Sequence, residues 1–405
     1  MKILLLILSI CSLSIYAQSS VKKARANNQK DSIKVEIKNL GSVINSPFSD
    51  YAPLISSDGT ALVFTSQRPL NNKDYLKGRG GLENVYISYY DDKNSRWLVT
   101  FMFESVINSL DIDNSAIALS NDGQKMLLYR GGNIQNANGD ILESLLSGNE
   151  WSDPTRLSPQ INSDENETSA SISPDGKTIY FISDRAHGIG GKDIWYCTQN
   201  ESGDWNEAVN MGNLLNSSEA EESVFIHPNG KVLFFSSKGH NAIGGFDIYM
   251  SVFDETTQTW AKPENLGYPI NSVGDEIYFV MQANGKTGYY ASSMAGGNGD
   301  LDIYSISFLE DIMKKNMTQI MGRVINKSDN PVGSTIAIKN KSTDKLIGSF
   351  KSNNASGKYI VSVPPGKKYE LEITSDGYKT DTISLDIPFK AGYQEYIKDI
   401  VLDPK

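Results

Sequence analysis

The chain has 405 residues, of which 39% are hydrophobic and 21% charged, and its formal net charge is −10 at neutral pH. This length is enough for two domains that each have a core. An acidic chain without a long basic run is not expected to bind nucleic acid, because phosphate binding requires a basic face. Its 20 Tyr, 14 Phe and 34 Gly residues favour strands and turns, and therefore an all-β fold.

The N-terminus has the pattern of a secretory signal peptide over residues 1–17: one Lys, a long apolar run and a final Ser-Ile-Tyr-Ala. Cleavage is expected after Ala17, followed by a flexible linker over residues 18–32. We therefore expect an exported, periplasmic protein that does not span the membrane, with association with the outer membrane left open. Lipidation of Cys11 is the alternative, against which Ile10 stands where a small residue is expected.

Between residues 33 and 308, an Asn-Ser dipeptide marks five copies of one repeat, which follow one another at intervals of 63, 54, 54 and 55 residues. A Gly turn follows each Asn after 14 or 15 residues and separates two strand-like runs, which is a strong signal for a β-hairpin. A third strand follows a Gly-rich loop, and a Trp-led fourth strand follows in four copies. The Asn residues are Asn45, Asn108, Asn162, Asn216 and Asn271, and the turns are 58–59, 122–123, 175–176, 229–230 and 284–285.

The fourth strand that the last copy lacks is predicted at the N-terminal end of the repeats. Residues 35–46 align with the stretch that ends at Asn271-Ser272, and an N-terminal strand that completes the last sheet would leave no open edge. Four strands every 54 or so residues predict a five-bladed β-propeller over residues 33–308. Six blades are the alternative, because the longer first interval has room for an extra hairpin.

Three motifs of the third copy resemble the TolB-type propeller repeat of bacterial envelopes. They are Ser-Pro-Asp-Gly-Lys at 173–177, Phe-Ile-Ser-Asp-Arg at 181–185 and Gly-Gly-Lys-Asp-Ile-Trp at 190–195. The resemblance covers roughly residues 33–310 and implies the propeller fold. It implies no single function, because such propellers serve as docking surfaces in many contexts. TolB itself has six blades and a separate N-terminal domain, and this sequence departs from both.

A linker is predicted over residues 309–317, and a second domain over residues 318–405. This domain carries Gly-x-Val at 322–324, Ser-Gly-x-Tyr at 356–359 and Pro-x-Gly-x-x-Tyr at 364–369, followed by a Gly-Tyr pair. These motifs resemble the transthyretin-like carboxypeptidase-regulatory domain. The resemblance implies a small β-sandwich of seven strands.

A propeller followed by such a sandwich resembles the PorE component of type IX secretion and related envelope proteins. The resemblance implies a non-enzymatic envelope protein that acts as a protein- or cell-wall-binding scaffold, linked to the outer membrane or to the type IX secretion machinery. Its expected partners are envelope proteins or peptidoglycan-associated proteins. The PorE family also carries helical repeats and an OmpA-like peptidoglycan-binding domain, which are not found in residues 1–405, so the resemblance does not extend to direct peptidoglycan binding.

A carboxylate stands five residues after each repeat Asn, and equivalent positions in a propeller form a ring. We expect this ring at the opening of the central channel, where carboxylates about 7 Å apart would repel by roughly 2 kcal/mol at an effective dielectric constant near 20. They must then bond to backbone or hydroxyl groups, face water or hold a cation. We interpret the ring as structural, with weak Ca²⁺ binding left open. Its residues are Asp50, Asp113 (uncertain by one place), Glu167, Glu221 and Glu276.

No catalytic, cofactor or metal site is predicted, and the protein is not expected to be an enzyme. The spacing of the three histidines matches no zinc site, and no Ser or Cys has an evident base. The alternative is a secreted carbohydrate-binding or glycan-processing propeller. A sialidase-like site would need clustered arginines and a Tyr supported by a carboxylate, whereas only Arg68 and Arg185 share a repeat position, nine residues after the turn Gly.

The Gly-rich loops before the third strands lead into no helix, so they are not phosphate-binding loops. They are expected to form one rim of the propeller, where a rigid scaffold presents loops to partners. The candidate partner-binding residues on this rim are Arg68, Arg185, His187, Lys238 and His240.

Overall fold

A computed structural model describes residues 33–78, 80–103, 106–109, 111–131, 138–313 and 316–405. The predicted signal peptide with Cys11 and the predicted linker of residues 18–32 lie outside the described residues. The described part contains one short helix, α1 (Asn72–Leu76), and otherwise strands, turns and loops. None of its helices is long and apolar enough to cross a membrane.

The strands up to residue 308 form five sheets, which we number in chain order. Strand β1 (Val35–Asn39) comes first in the chain, and sheets 1 and 2 follow it. Sheet 1 contains β2 (Asp50–Ile55), β3 (Ala61–Ser66), β4 (Asn84–Asp91), β5 (Arg96–Trp97) and β6 (Phe101–Met102). Sheet 2 contains β7 (Asn114–Leu119), β8 (Lys125–Arg130), β9 (Asp140–Ser147), β10 (Glu150–Trp151) and β11 (Thr155–Arg156).

The remaining three sheets repeat this order. Sheet 3 contains β12 (Glu167–Ile172), β13 (Thr178–Ser183), β14 (Asp193–Thr198) and β15 (Val209–Asn210). Sheet 4 contains β16 (Glu221–Ile226), β17 (Val232–Ser237), β18 (Asp247–Asp254), β19 (Thr259–Trp260) and β20 (Glu264–Asn265). Sheet 5 contains β21 (Glu276–Met281), β22 (Thr287–Ser292) and β23 (Asp302–Phe308), together with β1.

The first strands of the five sheets, β2, β7, β12, β16 and β21, form a closed ring. Each contacts the first strands of its two neighbours, and β21 contacts β2. Sheets arranged around a central channel in this way make a β-propeller. Apolar side chains fill the space between neighbouring sheets, as where Phe234 of sheet 4 lies 4.7 Å from Phe279 of sheet 5, measured between ring centroids. The core of the propeller therefore lies between the sheets.

Strand β1 closes the ring as the sequence predicts. It pairs antiparallel with β23, from Val35 opposite Phe308 to Asn39 opposite Tyr304. Sheet 5 is therefore built from both ends of the propeller, and no edge of β23 is left without a partner strand. Since an unpaired edge exposes backbone hydrogen-bonding groups, this closure protects the last sheet.

The repeat Asn joins each sheet to the one before it. The side-chain oxygen of Asn45 accepts the N–H of Ile303 at 2.8 Å, and its amide donates to the carbonyl of Ile303 at 3.0 Å. The other four Asn side chains make the same pair of bonds, with distances of 2.7–3.1 Å. Each buried amide satisfies one N–H and one C=O of a third strand, so its loss would leave both unpaired. These pairs are Asn108 with Val85, Asn162 with Ile141, Asn216 with Ile194 and Asn271 with Ile248.

The propeller has two faces. We call the side with the five Gly turns the turn face, and the opposite side, where the first and third strands of each sheet begin, the loop face. The turn glycines require positive φ: Gly59, for example, has φ +74°. The Gly-rich loops lie on the loop face.

Residues after 316 form two further four-stranded sheets around one apolar core. Strand β24 pairs antiparallel with β27 and parallel with β30 and then β31. Strands β30 and β31 pair with successive parts of β24 and together occupy one strand position, so the two sheets have seven strand positions in all. The strands are β24 (Met317–Asn326), β25 (Thr335–Asn340), β26 (Lys345–Lys351), β27 (Lys358–Val363), β28 (Lys367–Thr374), β29 (Asp381–Ile387), β30 (Tyr393–Ile397) and β31 (Ile400–Leu402).

These C-terminal sheets contact the turn face of the propeller. The backbone N–H of Lys351 donates to the carboxylate of Asp122 at 3.1 Å, and the side-chain amide of Asn353 donates to the carbonyl of Gly148 at 2.8 Å. Gln319 Nε2 donates to the carbonyl of Ser57 at 3.4 Å. The turn face is therefore partly covered, whereas the loop face is not covered by any described residue of the C-terminal sheets.

Candidate functional site

The predicted carboxylate positions lie at the start of the first strand in four sheets. Glu167 of sheet 3 is 0% exposed, and its carboxylate accepts the N–H of Ser163 at 2.9 Å and the hydroxyls of Ser163 and Ser183 at 2.7 Å. The carboxylate therefore orders the loop that follows the repeat Asn. Three other carboxylates are equally buried and accept the N–H and hydroxyl of the equivalent Ser: Asp50, Glu221 and Glu276.

In sheet 2 the prediction is wrong by one residue. Asn114, and not Asp113, occupies the equivalent place: its side-chain oxygen accepts the N–H of Ser109 at 3.1 Å, and its amide donates to the carbonyl of Ser109 at 2.7 Å. The Asp113 carboxylate instead accepts the N–H of Glu83, in sheet 1, at 2.9 Å. The second copy has one extra residue between Asn108 and its strand, so a fixed count from the Asn selects the wrong side chain.

The predicted ring at the channel opening stays a prediction, and the observed contacts of its carboxylates are with their own sheets. None of the four buried carboxylates lines the central cavity, because each points into the hydrogen bonds of its own sheet. Across the described ranges, no three Asp, Glu, His or Cys side chains come together as metal ligands do. The hydrogen bonds of the four buried carboxylates are the ones that a structural role requires.

Three of the five predicted rim residues are engaged inside the propeller. Arg68 donates to the Asp50 carboxylate at 2.7 Å, and Arg185 donates to the Glu167 carboxylate at 3.0 Å. The ring of His240 bonds to the carbonyl of Leu215 at 2.9 Å. These three side chains therefore stabilise the loop face through contacts inside the propeller. The other two predicted residues, His187 and Lys238, are exposed on that face.

The Gly-rich loops are fixed by the Asp that begins each third strand in sheets 3 to 5. In sheet 4, Asp247 accepts the N–H of Ile243 at 2.6 Å and the side-chain amide of Asn265 at 2.6 Å. Asp193 and Asp302 accept equivalent bonds from their own loops. The loop face is therefore a rigid surface in these sheets.

The channel contains a cavity of about 70 Å³, lined by residues of all five first strands. This volume holds about two water molecules, whereas pockets for small molecules have volumes of roughly 300–1,000 Å³. The Oγ atom of Ser169 lines this cavity, is buried and has no hydrogen-bond partner. The cavity itself is too small for a sugar or a cofactor.

A larger, open groove of about 560 Å³ lies on the loop face between sheets 5 and 1. The polar groups that line it are already occupied: Arg68 pairs with Asp50, Asn45 bonds to Ile303, and the N–H of Asn298 donates to an Asp. A ligand is oriented by polar groups that are free to bond to it. The groove therefore offers little to position a small molecule.

At its loop-face end, the channel opens into a group of tyrosines and carboxylates. The rings of Tyr51 and Tyr278 lie 5.5 Å apart between centroids, and the carboxylate of Glu83 is near enough to both phenols that, besides burial, its charge raises their pKa values. Glu222 is held by the hydroxyl of Thr168 and by the ammonium of Lys192, both at 2.8 Å. We call the following six residues the mouth cluster: Tyr51, Glu83, Asp113, Tyr129, Glu222 and Tyr278.

The carboxylates and the phenols of the mouth cluster influence each other. Burial raises the pKa of Tyr51 well above its usual value, and the negative charge of Glu83 raises it further. Burial and the charge of Glu83 also raise the pKa of Tyr129, while for Tyr278 burial is followed by the charges of Glu222 and Glu83. The three phenols therefore keep their protons at neutral pH. They are hydrogen-bond donors and aromatic surfaces there, not ionised nucleophiles.

The sequence signal for the mouth cluster is a break in the repeat. The position two residues after the buried carboxylate is Ala52 in sheet 1, Ser169 in sheet 3 and Ser223 in sheet 4, but Tyr278 in sheet 5. Tyr278 has φ +56°, a conformation that costs about 1–2 kcal/mol for a residue other than Gly. Glu222 likewise has no acidic counterpart in the other sheets. Comparing the copies residue by residue would have found both side chains.

No family model matches the sequence, and no curated protein matches it. Among solved structures, the chain is similar to TolB from Acinetobacter baumannii at 16% identity, covering 66% of this chain and 57% of that one, with a TM-score of 0.36. It is also similar to a protein of unknown function from Dyadobacter fermentans at 12% identity, covering 65% and 79%, with a TM-score of 0.43. A Hadza microbial sialidase is 14% identical, covering 64% and 66%, with a TM-score of 0.37. Because these TM-scores are low, the propeller assignment rests on the sheet order and on the ring of first strands.

Proposed function

We propose that this protein is a non-enzymatic scaffold of the bacterial cell envelope that binds a partner protein through the loop face of its propeller. The observation that carries the proposal is the distribution of exposed apolar side chains. Nine large apolar residues are exposed on the loop face, and none of those described is exposed in the five turns of the opposite face. They are Val43, Leu70, Leu76, Leu82, Ile189, Leu214, Ile243, Tyr268 and Val273.

Exposed apolar residues that share one face mark protein interaction sites more often than residues that are scattered singly. Val273 is 89% exposed, and the backbone of Gly244, next to Ile243, lies so close to the backbone of Val273 that a Cβ at position 244 would clash with it. The loops of sheets 4 and 5 therefore meet at this place on the loop face. The loops below it are fixed by Asp247, so the surface is ordered before a partner arrives.

The charge of the propeller indicates the kind of partner. Residues 33–308 contain 18 basic and 35 acidic residues, which gives a net charge of −17. The segment 318–405 contains 13 basic and 10 acidic residues, a net charge of +3. An acidic surface attracts a basic partner and repels other acidic ones. The partner is therefore expected to present basic and apolar groups to the loop face.

The proposed place of action is the periplasm, with association with the outer membrane left open. It follows from the signal peptide pattern of residues 1–17 and from the resemblance of the repeats to envelope propellers. The motifs of residues 318–405 support a carboxypeptidase-regulatory-like domain and, with the propeller, a similarity to the PorE component of type IX secretion. Envelope proteins or peptidoglycan-associated proteins are the proposed partners.

A secreted carbohydrate-binding or glycan-processing protein is the second candidate. The contact of Tyr51 with Glu83 favours it, because a Tyr supported by a carboxylate can act in glycoside hydrolysis. Two observations weaken it. Both predicted arginines, Arg68 and Arg185, are turned into ion pairs with buried carboxylates, and the raised pKa of Tyr51 opposes its use as a nucleophile.

The proposed function can be tested by crosslinking in intact cells. A photoreactive benzophenone amino acid replaces Val273 on the loop face in one variant and Val401 in strand β31 of the C-terminal sheets in a matched control. Val401 is also exposed, at 49%. We expect the variant at position 273 to give one discrete envelope-protein adduct under ultraviolet light, and the variant at position 401 to give none.

Equal labelling at both positions, or none at either, would argue against the loop face as a docking surface. Release of reducing sugar from a polymeric glycan by the purified protein would favour the second candidate instead. Fractionation of the same cells tests the location, and N-terminal sequencing of the mature chain tests cleavage after Ala17.

A further inference from the structure

The mouth cluster has a composition suited to a particular chemical group. It combines three phenols with three carboxyl groups from sheets 1, 2, 4 and 5. The rings of Tyr51 and Tyr278 lie 5.5 Å apart, and the N–H of Glu83 donates to the Asp113 carboxylate at 2.9 Å. Burial and then the charges of the carboxylates raise the pKa values of the three phenols. One ammonium group, that of Lys192, contacts one of these carboxylates, Glu222. Three carboxyl groups and one ammonium leave a formal charge of −2 at this place. A cation is the ligand that such a charge attracts.

The arrangement does not fit a metal ion. The described residues contain no group of three acidic, His or Cys side chains that could hold one. Glu222 is also occupied by Thr168 and Lys192, and Asp113 accepts a backbone N–H. Calcium requires about six to eight oxygens in its coordination sphere. Aromatic faces beside carboxylates are instead typical of sites for organic ammonium groups.

An independent observation lies just inside the channel. Ser169 is 2% exposed, and its Oγ has no hydrogen-bond partner although it lines the cavity together with Tyr278. Most buried hydroxyl groups have a hydrogen-bond partner, so a hydroxyl without one needs an explanation. The wall of the channel beside Tyr278 therefore carries a polar group that is free to bond to a ligand.

We propose that the mouth cluster binds a lysine side chain of the partner protein, with its ammonium among Glu83, Asp113 and the tyrosines. This inference rests on the proposed function, since it names the group by which the loop face would recognise its partner. The acceptors surround the channel axis from several sheets, which suits the three N–H bonds of an ammonium better than the flat fork of a guanidinium.

The test uses n-butylammonium chloride, a lysine side-chain analogue, and the mature full chain from residue 18. Binding is measured by ligand-observed NMR at constant ionic strength. A ligand of five heavy atoms is expected to bind with a dissociation constant on the order of 1–10 mM. Uncharged n-butanol and methylguanidinium chloride should each bind at least about tenfold more weakly, because they lack the charge or the shape of the ammonium.

Glu83→Gln should weaken n-butylammonium binding about fivefold or more, because it removes one carboxylate from the cluster. The matched control is Glu201→Gln, which makes the same change of charge at an exposed turn on the outer part of sheet 3 and should leave binding unchanged. Melting curves show whether both variants fold. If Glu83→Gln does not fold, two other variants replace it. Asp113→Asn removes a carboxylate and should weaken n-butylammonium binding, whereas Tyr278→Phe keeps the aromatic ring and should leave that binding unchanged.

The inference is overturned if n-butanol binds as tightly as n-butylammonium, if methylguanidinium binds more tightly, or if Glu201→Gln weakens binding as much as Glu83→Gln. The result is separable from that of the crosslinking experiment. Adducts at position 273 without n-butylammonium binding would remove only the lysine assignment. Binding of n-butylammonium without adducts would remove the protein partner and leave a site for small cations.

Discussion

Two neighbouring sets of positions in the first strands behave differently. The buried carboxylates, Asp50, Glu167, Glu221 and Glu276, recur in four sheets, are 0% exposed and bond to the same Ser. One or two residues later, the positions vary from sheet to sheet and include Tyr51, Glu222 and Tyr278 of the mouth cluster. A residue that every sheet needs is repeated, whereas a site formed once requires a departure from the repeat. The predictions below test this difference, from the largest expected effect to the smallest.

The largest effect is expected from removing the N-terminal closing strand. A chain that begins at residue 47 lacks β1, the buried Ile44 and the Asn45 bonds to Ile303. These losses combine a strand ladder, a buried apolar side chain and two unpaired backbone groups, so the melting temperature should fall by on the order of 10 °C or more. A chain that begins at residue 33 is the control and should melt like the mature protein. Equal melting of the two chains would contradict closure by β1.

The next effect concerns a repeated carboxylate that pairs with a buried cation. In Glu167→Gln the guanidinium of Arg185, whose side chain is 12% exposed, loses its counter-charge. Breaking a buried ion pair by removing one partner costs about 3–5 kcal/mol, which urea unfolding would measure. Neither Ca²⁺ nor a chelator should change the stability of the wild-type chain. A chelator that lowers its melting temperature by several degrees would show that these positions hold a metal.

The repeated positions could be predicted from the sequence, whereas of the mouth cluster only Tyr278 and Glu222 could be found, as departures from the repeat. The Asn-Ser spacing and the Gly turns recur because every sheet packs against its two neighbours in the same way. These features therefore predict the sheets and the closing strand. Glu83 and Tyr129 occupy unrelated places in their copies, on a loop before β4 and on β8. They meet Tyr51 only because the ring brings sheets 1 and 2 together. That proximity is a property of the closed ring, and no local pattern encodes it.

His227 tests whether a departure from the repeat is sufficient for a site. It replaces the Ser or Gln of other turns, is 0% exposed, and bonds through Nε2 to the carbonyl of Gln282 at 3.2 Å. Burial lowers its pKa from 6.5 to about 4. The unfolded chain therefore binds a proton below pH 6.5 that the folded chain does not bind until about pH 4.

The stability from His227 is thus present above pH 6.5 and is lost as the pH falls towards 4, by up to about 3 kcal/mol. Urea unfolding at pH 7 and at pH 4.5 measures this loss, and His227→Gln should show less of it. An equal loss in both chains would assign the acid sensitivity to other groups. A buried His with these bonds would be structural, so a departure from the repeat does not by itself mark a site.

The smallest expected effect is a difference in unfolding free energy between variants of two adjacent glutamates in β16. Glu221 accepts the hydroxyls of Ser217 and Ser237 at 2.6 and 2.7 Å without a paired guanidinium, so Glu221→Gln should destabilise the fold by about 1–3 kcal/mol. Glu222 bonds to Thr168 and to Lys192, whose side chain is 32% exposed. The Glu222 side chain is only 10% exposed, but a Gln at position 222 still accepts the Thr168 hydroxyl. The Lys192 ammonium, which reaches solvent, can then be hydrated, so the loss should stay near the roughly 0–1 kcal/mol of an exposed pair. We therefore expect Glu222→Gln to unfold within about 1 kcal/mol of the wild-type chain in the same urea titration. If Glu222→Gln were the more destabilising of the two, the irregular positions would also serve the fold, and the division between repeated and irregular residues would fail.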